Sequence, residues 1–121
     1  PAAVLRKEKH PAKKTFQAIR IEVNKELIVF RKSLMDAFDL LNKNGRICVI
    51  TFHSLEDRIC KHMFKEKCTL DLPHDLPIIP VGYHIDFELV NKKAITASQE
   101  ELAINNRSHS AKLRVIERIN N

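Results

Sequence analysis

The sequence predicts an α/β fold, and three observations carry that reading. An apolar ladder runs Phe16, Ile19, Val23, Leu27, Phe30, Leu34, Phe38 and Leu41 in steps of three and four, the spacing of a helix with one buried stripe. The run Arg46-Ile-Cys-Val-Ile-Thr-Phe52 is short, apolar and β-branched, as strands are when helices cover both faces of a parallel sheet. Ser54 and Asp57 then have the Ser-x-x-Asp spacing that opens a helix, so helix, strand and helix follow one another.

Taken in order, residues 1–14 are polar and basic with His10-Pro11, and they read as an arm or linker ahead of a domain over 15–121. Thr15 is the expected N-cap of the ladder, which forms one long helix or two joined near Asn24 and stops at Asn44-Gly45. The helix after the strand is expected over about residues 55–67, with Ile59, Met63 and Phe64 facing inward. Pro73, Pro77, Pro80 and Gly82 make 68–84 a loop. Phe87–Ile95 reads as a strand, Ser98-Gln-Glu-Glu101 as a second capping box before a short helix, and Lys112–Arg118 as a final strand. One central strand cannot cover both its own faces and both its edges, so its partners are expected upstream of Pro1, in an N-terminal half that these residues lack.

Composition narrows the class. A chain of 121 residues with 44% hydrophobic and 30% charged residues suits one folded domain and not a disordered tail. No apolar run approaches the length of a membrane span, and Pro1-Ala-Ala-Val-Leu-Arg-Lys7 has no secretory signal, so a cytoplasmic setting is expected. Cys48, Cys60 and Cys68 are odd in number and widely spaced, which favours buried free thiols over a disulfide framework. Cys68, His74 and His84 lack any Cys-x-x-Cys, and no metal site is expected.

The formal charge of +6 is unevenly placed. Residues 1–20 carry a local +5 and residues 107–118 a local +3, whereas the 86 residues between them are slightly acidic. Basic charge confined to two places suits a polyanion gripped at defined points, although solvated ends would look the same.

Four stretches together resemble one family: His10–Asn24, Asn44–Arg58, Ile95–Glu101 and Asn105–Arg118. Their residues, order and spacing look like the small-subunit rRNA cytosine-N4 methyltransferases, the family called RsmH and formerly MraW. The resemblance implies a class I, Rossmann-like, S-adenosylmethionine-dependent fold, with 46–52 as its fifth strand, 86–95 as its sixth and 111–118 as its antiparallel seventh. It also implies methyl transfer to N4 of a cytidine near the decoding centre of 16S rRNA, with the small ribosomal subunit as partner. The donor-binding glycine loop of the family lies upstream; here the only glycines are Gly45 and Gly82, so cofactor-binding residues are expected before Pro1 and this stretch alone is expected to be inactive. Two departures stand out. Asn44 replaces the first of two glycines before the strand, and His109 replaces an arginine, which weakens a phosphate contact at neutral pH.

Such chemistry must align a poorly nucleophilic amine and dispose of its proton. Positioning is worth up to ~7–11 kcal/mol and a base ~10²–10⁴-fold. His53, at the C-terminal end of the strand, is the candidate catalytic residue with Glu56 beside it, and a hydrogen-bonded structural histidine is the competing reading. Lys13, Lys14, Arg20, Asn24, Arg107, Ser108 and Lys112 are the candidate RNA contacts, against a solvated face or helix–sheet bridging. Tyr83 is the only tyrosine and tryptophan is absent, so base stacking is not expected. A small non-catalytic RNA-binding α/β module would share the basic ends and small core. An apolar strand edge and ladder stripped of their partners are also expected to make the isolated stretch self-associate.

Overall fold

The computed structural model describes residues 11–69 and 84–121; of the expected arm over 1–14, residues 1–10 lie outside the described residues, as does most of the proline-rich loop, and Lys13 and Lys14 open a helix. The elements are α1 (Lys13–Asn24), α2 (Glu26–Leu40), β1 (Arg46–Thr51), α3 (Ser54–Lys67), β2 (Phe87–Leu89), β3 (Ile95–Thr96), α4 (Gln99–Ile104), a 3₁₀ turn (Asn106–Ser110) and β4 (Lys112–Arg118). Among them no helix is long and apolar enough to cross a membrane.

The ladder forms two helices, joined where the sequence suggested. Lys25 takes a left-handed conformation (φ 53°), its N–H bonds the Ile21 carbonyl, and the chain turns into α2. α1 starts at Lys13, two residues before the expected Thr15 cap, with no side-chain cap on Ala12. It buries nothing: Phe16 is 65% and Val23 73% exposed, so the ladder is core only from α2 onward. There Leu34 and Phe38 pack with Cys60, Met63 and Phe64 of α3, Phe87 of β2 and Ile116 of β4. Phe38 meets Phe64 and Phe87 edge-to-face, at centroid distances of 6.0 and 5.3 Å. The Arg118 guanidinium covers the Phe87 ring and donates to the carbonyls of Phe38 (3.2 Å) and Leu41 (3.1 Å), satisfying the last turn of α2. Asn44 sits at φ 69°, which asparagine tolerates, and a Cβ on Gly45 would lie 2.7 Å from the Leu41 side chain, so that position requires glycine.

The described strands form an antiparallel sheet centred on β4, the strand that the resemblance makes antiparallel. β4 lies between β1 and β2 and is antiparallel to both; β3 pairs with β4 as well. The expected single strand over 87–95 is broken because Asn91 takes over the ladder. Its Oδ1 accepts from the Val115 N–H (2.9 Å), and its Nδ2 donates to the carbonyls of Leu113 (3.2 Å) and Lys93 (2.7 Å). β1 is not covered on both faces either: Ile47, Val49 and Thr51 turn inward, whereas Cys48 and Ile50 are exposed. Cys48 is therefore a surface thiol and not the buried one expected, while Cys60 is fully buried and its thiol is pushed up to about 11 by burial.

The capping signature at 54–57 is displaced by one residue. The N-cap of α3 is His53, whose Nδ1 accepts from the Glu56 N–H (3.4 Å), and Glu56 Oε2 reaches back to the Phe52 N–H (3.3 Å). Asp57 is drawn away from any cap by a stronger partner. Arg114 grips it with two bonds, Nε to Oδ1 at 2.8 Å and Nη2 to Oδ2 at 3.2 Å. Thr51 Oγ1 donates to the same carboxylate at 3.5 Å and Lys112 Nζ stands 3.7 Å from it. Ser98, by contrast, caps α4 as expected, accepting the Glu101 N–H at 3.1 Å.

The Arg114 hydrogen bonds hold the Asp57 carboxyl below the usual carboxylate range, against the opposing effect of burial. A lowered folded value means that the stabilisation is complete above the unfolded value, ~3.9, and is lost as pH falls through the folded one. Removing one member of a buried pair leaves the other uncompensated. Asp57→Ala is expected to cost ~3–5 kcal/mol of unfolding free energy, and Asp57→Asn to lose less stability than wild type on acidification below pH ~4; denaturant titrations at several pH values check both.

Candidate nucleic-acid interface

The C-terminal end of β1 opens into a cleft of about 410 Å³. Lys13, Lys14 and Gln17 from the first turns of α1 form one wall. Thr51 to Ser54, running off β1 into α3, form the floor, and His109, Ser110 and Lys112 form the other wall. Three segments far apart in sequence thus bring three lysines together at the start of a 14-residue helix, the end where the helix dipole favours negative charge. Behind the floor, the single charge of Asp57 is matched by both Arg114 and Lys112, while Glu26 and Glu56 stand beside His53. A larger cavity, about 520 Å³, lies between α2 and α3 along Leu27, Ile28, Met35 and Ile59, and it contains none of the expected site residues.

The structure treats the predicted residues unequally. Lys13, Lys14, His53 and Lys112 meet in the cleft. Arg20 is committed to an ion pair with Glu26 (3.2 Å), and Asn24, exposed at the end of α1, is not among the cleft residues. Arg107 is exposed in the 3₁₀ turn next to that wall. Ser108 is turned inward: it is 7% exposed and its hydroxyl donates to the Asn105 carbonyl at 2.7 Å, so it shapes the turn that carries Arg107 and His109.

Sequence reasoning missed Glu26 and the cleft position of His109. The signal for Glu26 was an acidic residue in the first turn of a helix; nothing in the linear pattern placed it against His53. Glu26, His53 and Glu56 offer ligand atoms within 4.8 Å of one another. His53 Nε2 lies 3.2 Å from Glu56 Oε1, and neither His53 Nε2 nor Glu26 Oε2 makes a hydrogen bond, though both atoms are buried. The grouping resembles a metal set, but the ring geometry opposes one. A metal on Nε2 needs the ring proton on Nδ1, and Nδ1 here faces the N–H of Glu56. Direct proton abstraction by His53 meets the same obstacle, because its Nδ1 lone pair is occupied as a helix cap and its Nε2 is buried.

Residues 1–119 match the MraW methylase family. Curated relatives named ribosomal RNA small subunit methyltransferase H are closely similar. Those from Lactobacillus delbrueckii subsp. bulgaricus (strain ATCC BAA-365 / Lb-18) and Streptococcus mutans serotype c are both 59% identical, over 98% and 100% of this chain. One from Streptococcus dysgalactiae subsp. equisimilis is 60% identical over 98% of it. The chain spans 38% of the length of each of these relatives.

Proposed function

The chain belongs to the MraW methylase family, and from that membership we propose that it is the C-terminal part of an S-adenosylmethionine-dependent enzyme that methylates N4 of a cytidine in 16S rRNA. The observation that carries this reading is the lysine-walled cleft at the end of β1, which suits the phosphate backbone of an RNA strand. The strand order supports the fold side of it. An antiparallel β4 between β1 and β2 is the arrangement expected if 46–52, 86–95 and 111–118 are the fifth, sixth and seventh strands of a class I methyltransferase.

The residues described here do not fit the methyl donor. There is no Gly-x-Gly, the Gly45 turn is closed by Leu41 and Asn42, and a cationic sulfonium is ill placed among Lys13, Lys14 and Lys112. The donor site therefore belongs to the longer protein, and the share of these residues is to hold and orient RNA. Lys13, Lys14 and Lys112 contact phosphate in the cleft, Arg107 extends the basic surface beyond it, and Arg20 and Asn24 contribute through the pose of α1.

In the full-length protein, Lys13→Ala, Lys112→Ala and Arg107→Ala are each expected to weaken binding to small-subunit rRNA particles and to reduce the salt slope by about one unit. Arg20→Ala, which breaks a pair with Glu26, is expected to change the slope less. Equal slopes in all four variants and wild type would return these lysines to a solvated face.

Calorimetry on the isolated 121 residues is expected to detect no S-adenosylmethionine binding. Micromolar binding would place the donor site within them; RNA binding without methylation by the full-length protein would favour the non-catalytic module.

β1 sits at the sheet edge, with Ile50 59% exposed, and Phe16, Ile19 and Val23 form an uncovered stripe on α1. Unpaired edges and apolar patches pair with other copies. The isolated residues are expected to sediment as concentration-dependent oligomers, and a monomer at every concentration would contradict this.

A further inference from the structure

His53 caps α3 and lies beside Glu26, which opens α2 27 residues earlier in the sequence. Its side chain is 8% exposed. On one side of the ring, Nδ1 accepts the Glu56 N–H, which fixes the ring proton on Nε2. On the other side, Nε2 is buried beside two carboxylates and hydrogen-bonded to neither: Glu56 Oε1 at 3.2 Å, and Glu26, the first residue of α2, within the same 4.8 Å group. Glu26 in turn holds Arg20 of α1 at 3.2 Å. A ring protonated on both nitrogens, or bound to a metal through Nε2, would set an Nδ1–H against the Glu56 N–H and lose the cap of α3.

We infer that His53 is a positioning residue, its Nδ1 kept as the acceptor that caps α3, that sets the start of α3 beside the α1–α2 elbow and so holds Lys13 and Lys14 across the cleft from Lys112. The groups stand in succession: the α3 cap with Glu56, then His53, then Glu26 within the same 4.8 Å group, and Arg20, which Glu26 pairs on the helix that bears the two lysines. The effect on RNA rests on the function proposed above; the tautomer does not.

The test is nitrogen-15 NMR of the full-length protein, with variants. The His53 ring is expected to show an unprotonated Nδ1 and a protonated Nε2. His53→Ala is expected to raise the rRNA dissociation constant ~10-fold, equivalent to ~1.4 kcal/mol. His53→Asn, whose side-chain oxygen can accept the Glu56 N–H, is expected to recover most of that affinity and to leave the shape of the pH–rate profile as in wild type. An Nδ1–H tautomer or a doubly protonated ring at neutral pH would overturn the inference. So would a His53→Asn protein that binds RNA normally yet loses turnover together with one limb of its pH profile, since that is the behaviour of a proton-transferring group. If His53→Ala does not fold, the NMR assignment and His53→Asn still decide, and if the protein proves to have no methyltransferase activity, the tautomer and the RNA affinity remain measurable.

Discussion

One carboxylate organises this small structure. Asp57 sits where β1 ends, α3 begins and β4 passes, and it is bonded or paired to a residue from each strand: Thr51 from β1, Arg114 and Lys112 from β4. A domain with so little core cannot fix the angle between a helix and a sheet by apolar packing alone, because such packing tolerates sliding. A bidentate pair does not slide. Burying it is costly, and its gain is geometric specificity more than net stability. The corner it locks is the floor of the cleft.

The opposite end of β4 repeats the device in a weaker form. Arg118 reaches across the Phe87 ring to the last carbonyls of α2, so the two arginines of one strand anchor the two helices that cover the sheet. Between them Ile116 is completely buried against Phe38 and Phe64. β4 is therefore the spine of the described residues, with β1, β2 and β3 all paired to it. The basic charge that the sequence concentrates near its C-terminal end divides accordingly. Arg114 and Arg118 are structural, Lys112 stands beside Asp57 at the wall of the cleft, and Arg107 is exposed in the 3₁₀ turn.

Much of this was legible in the sequence, for identifiable reasons. Apolar periodicity found α2 and α3, the β-branched run found β1, and an elbow near Asn24 was one of the two readings that the ladder left open. Asn44 replaces the family's glycine without harm because it occupies the one left-handed position before the strand. What was not legible depends on contacts between distant residues. Asp57 looked like a cap because Ser-x-x-Asp is a local pattern, whereas its partner Arg114 lies 57 residues on. The broken strand at 87–95 turned on a single Asn91 side chain replacing backbone bonds, and the place of β4 between β1 and β2 on pairing between distant residues. Of the site, the basic residues were visible as charge and His53 as a strand-end histidine; the grouping of His53 with Glu26 was not, since it exists only once α1 and α2 fold back.

If the Asp57 clamp sets this corner, its loss should be felt locally before it is felt globally. Amide hydrogen exchange of Asp57→Asn in the full-length protein, compared with wild type under native conditions, measures this most directly. The account predicts faster exchange at 49–58 and at 112–116, with protection in the middle of α2 retained. Exchange that rises uniformly through α2, α3 and the sheet, or that does not rise at the corner at all, would show that apolar packing and not the carboxylate holds the corner in place.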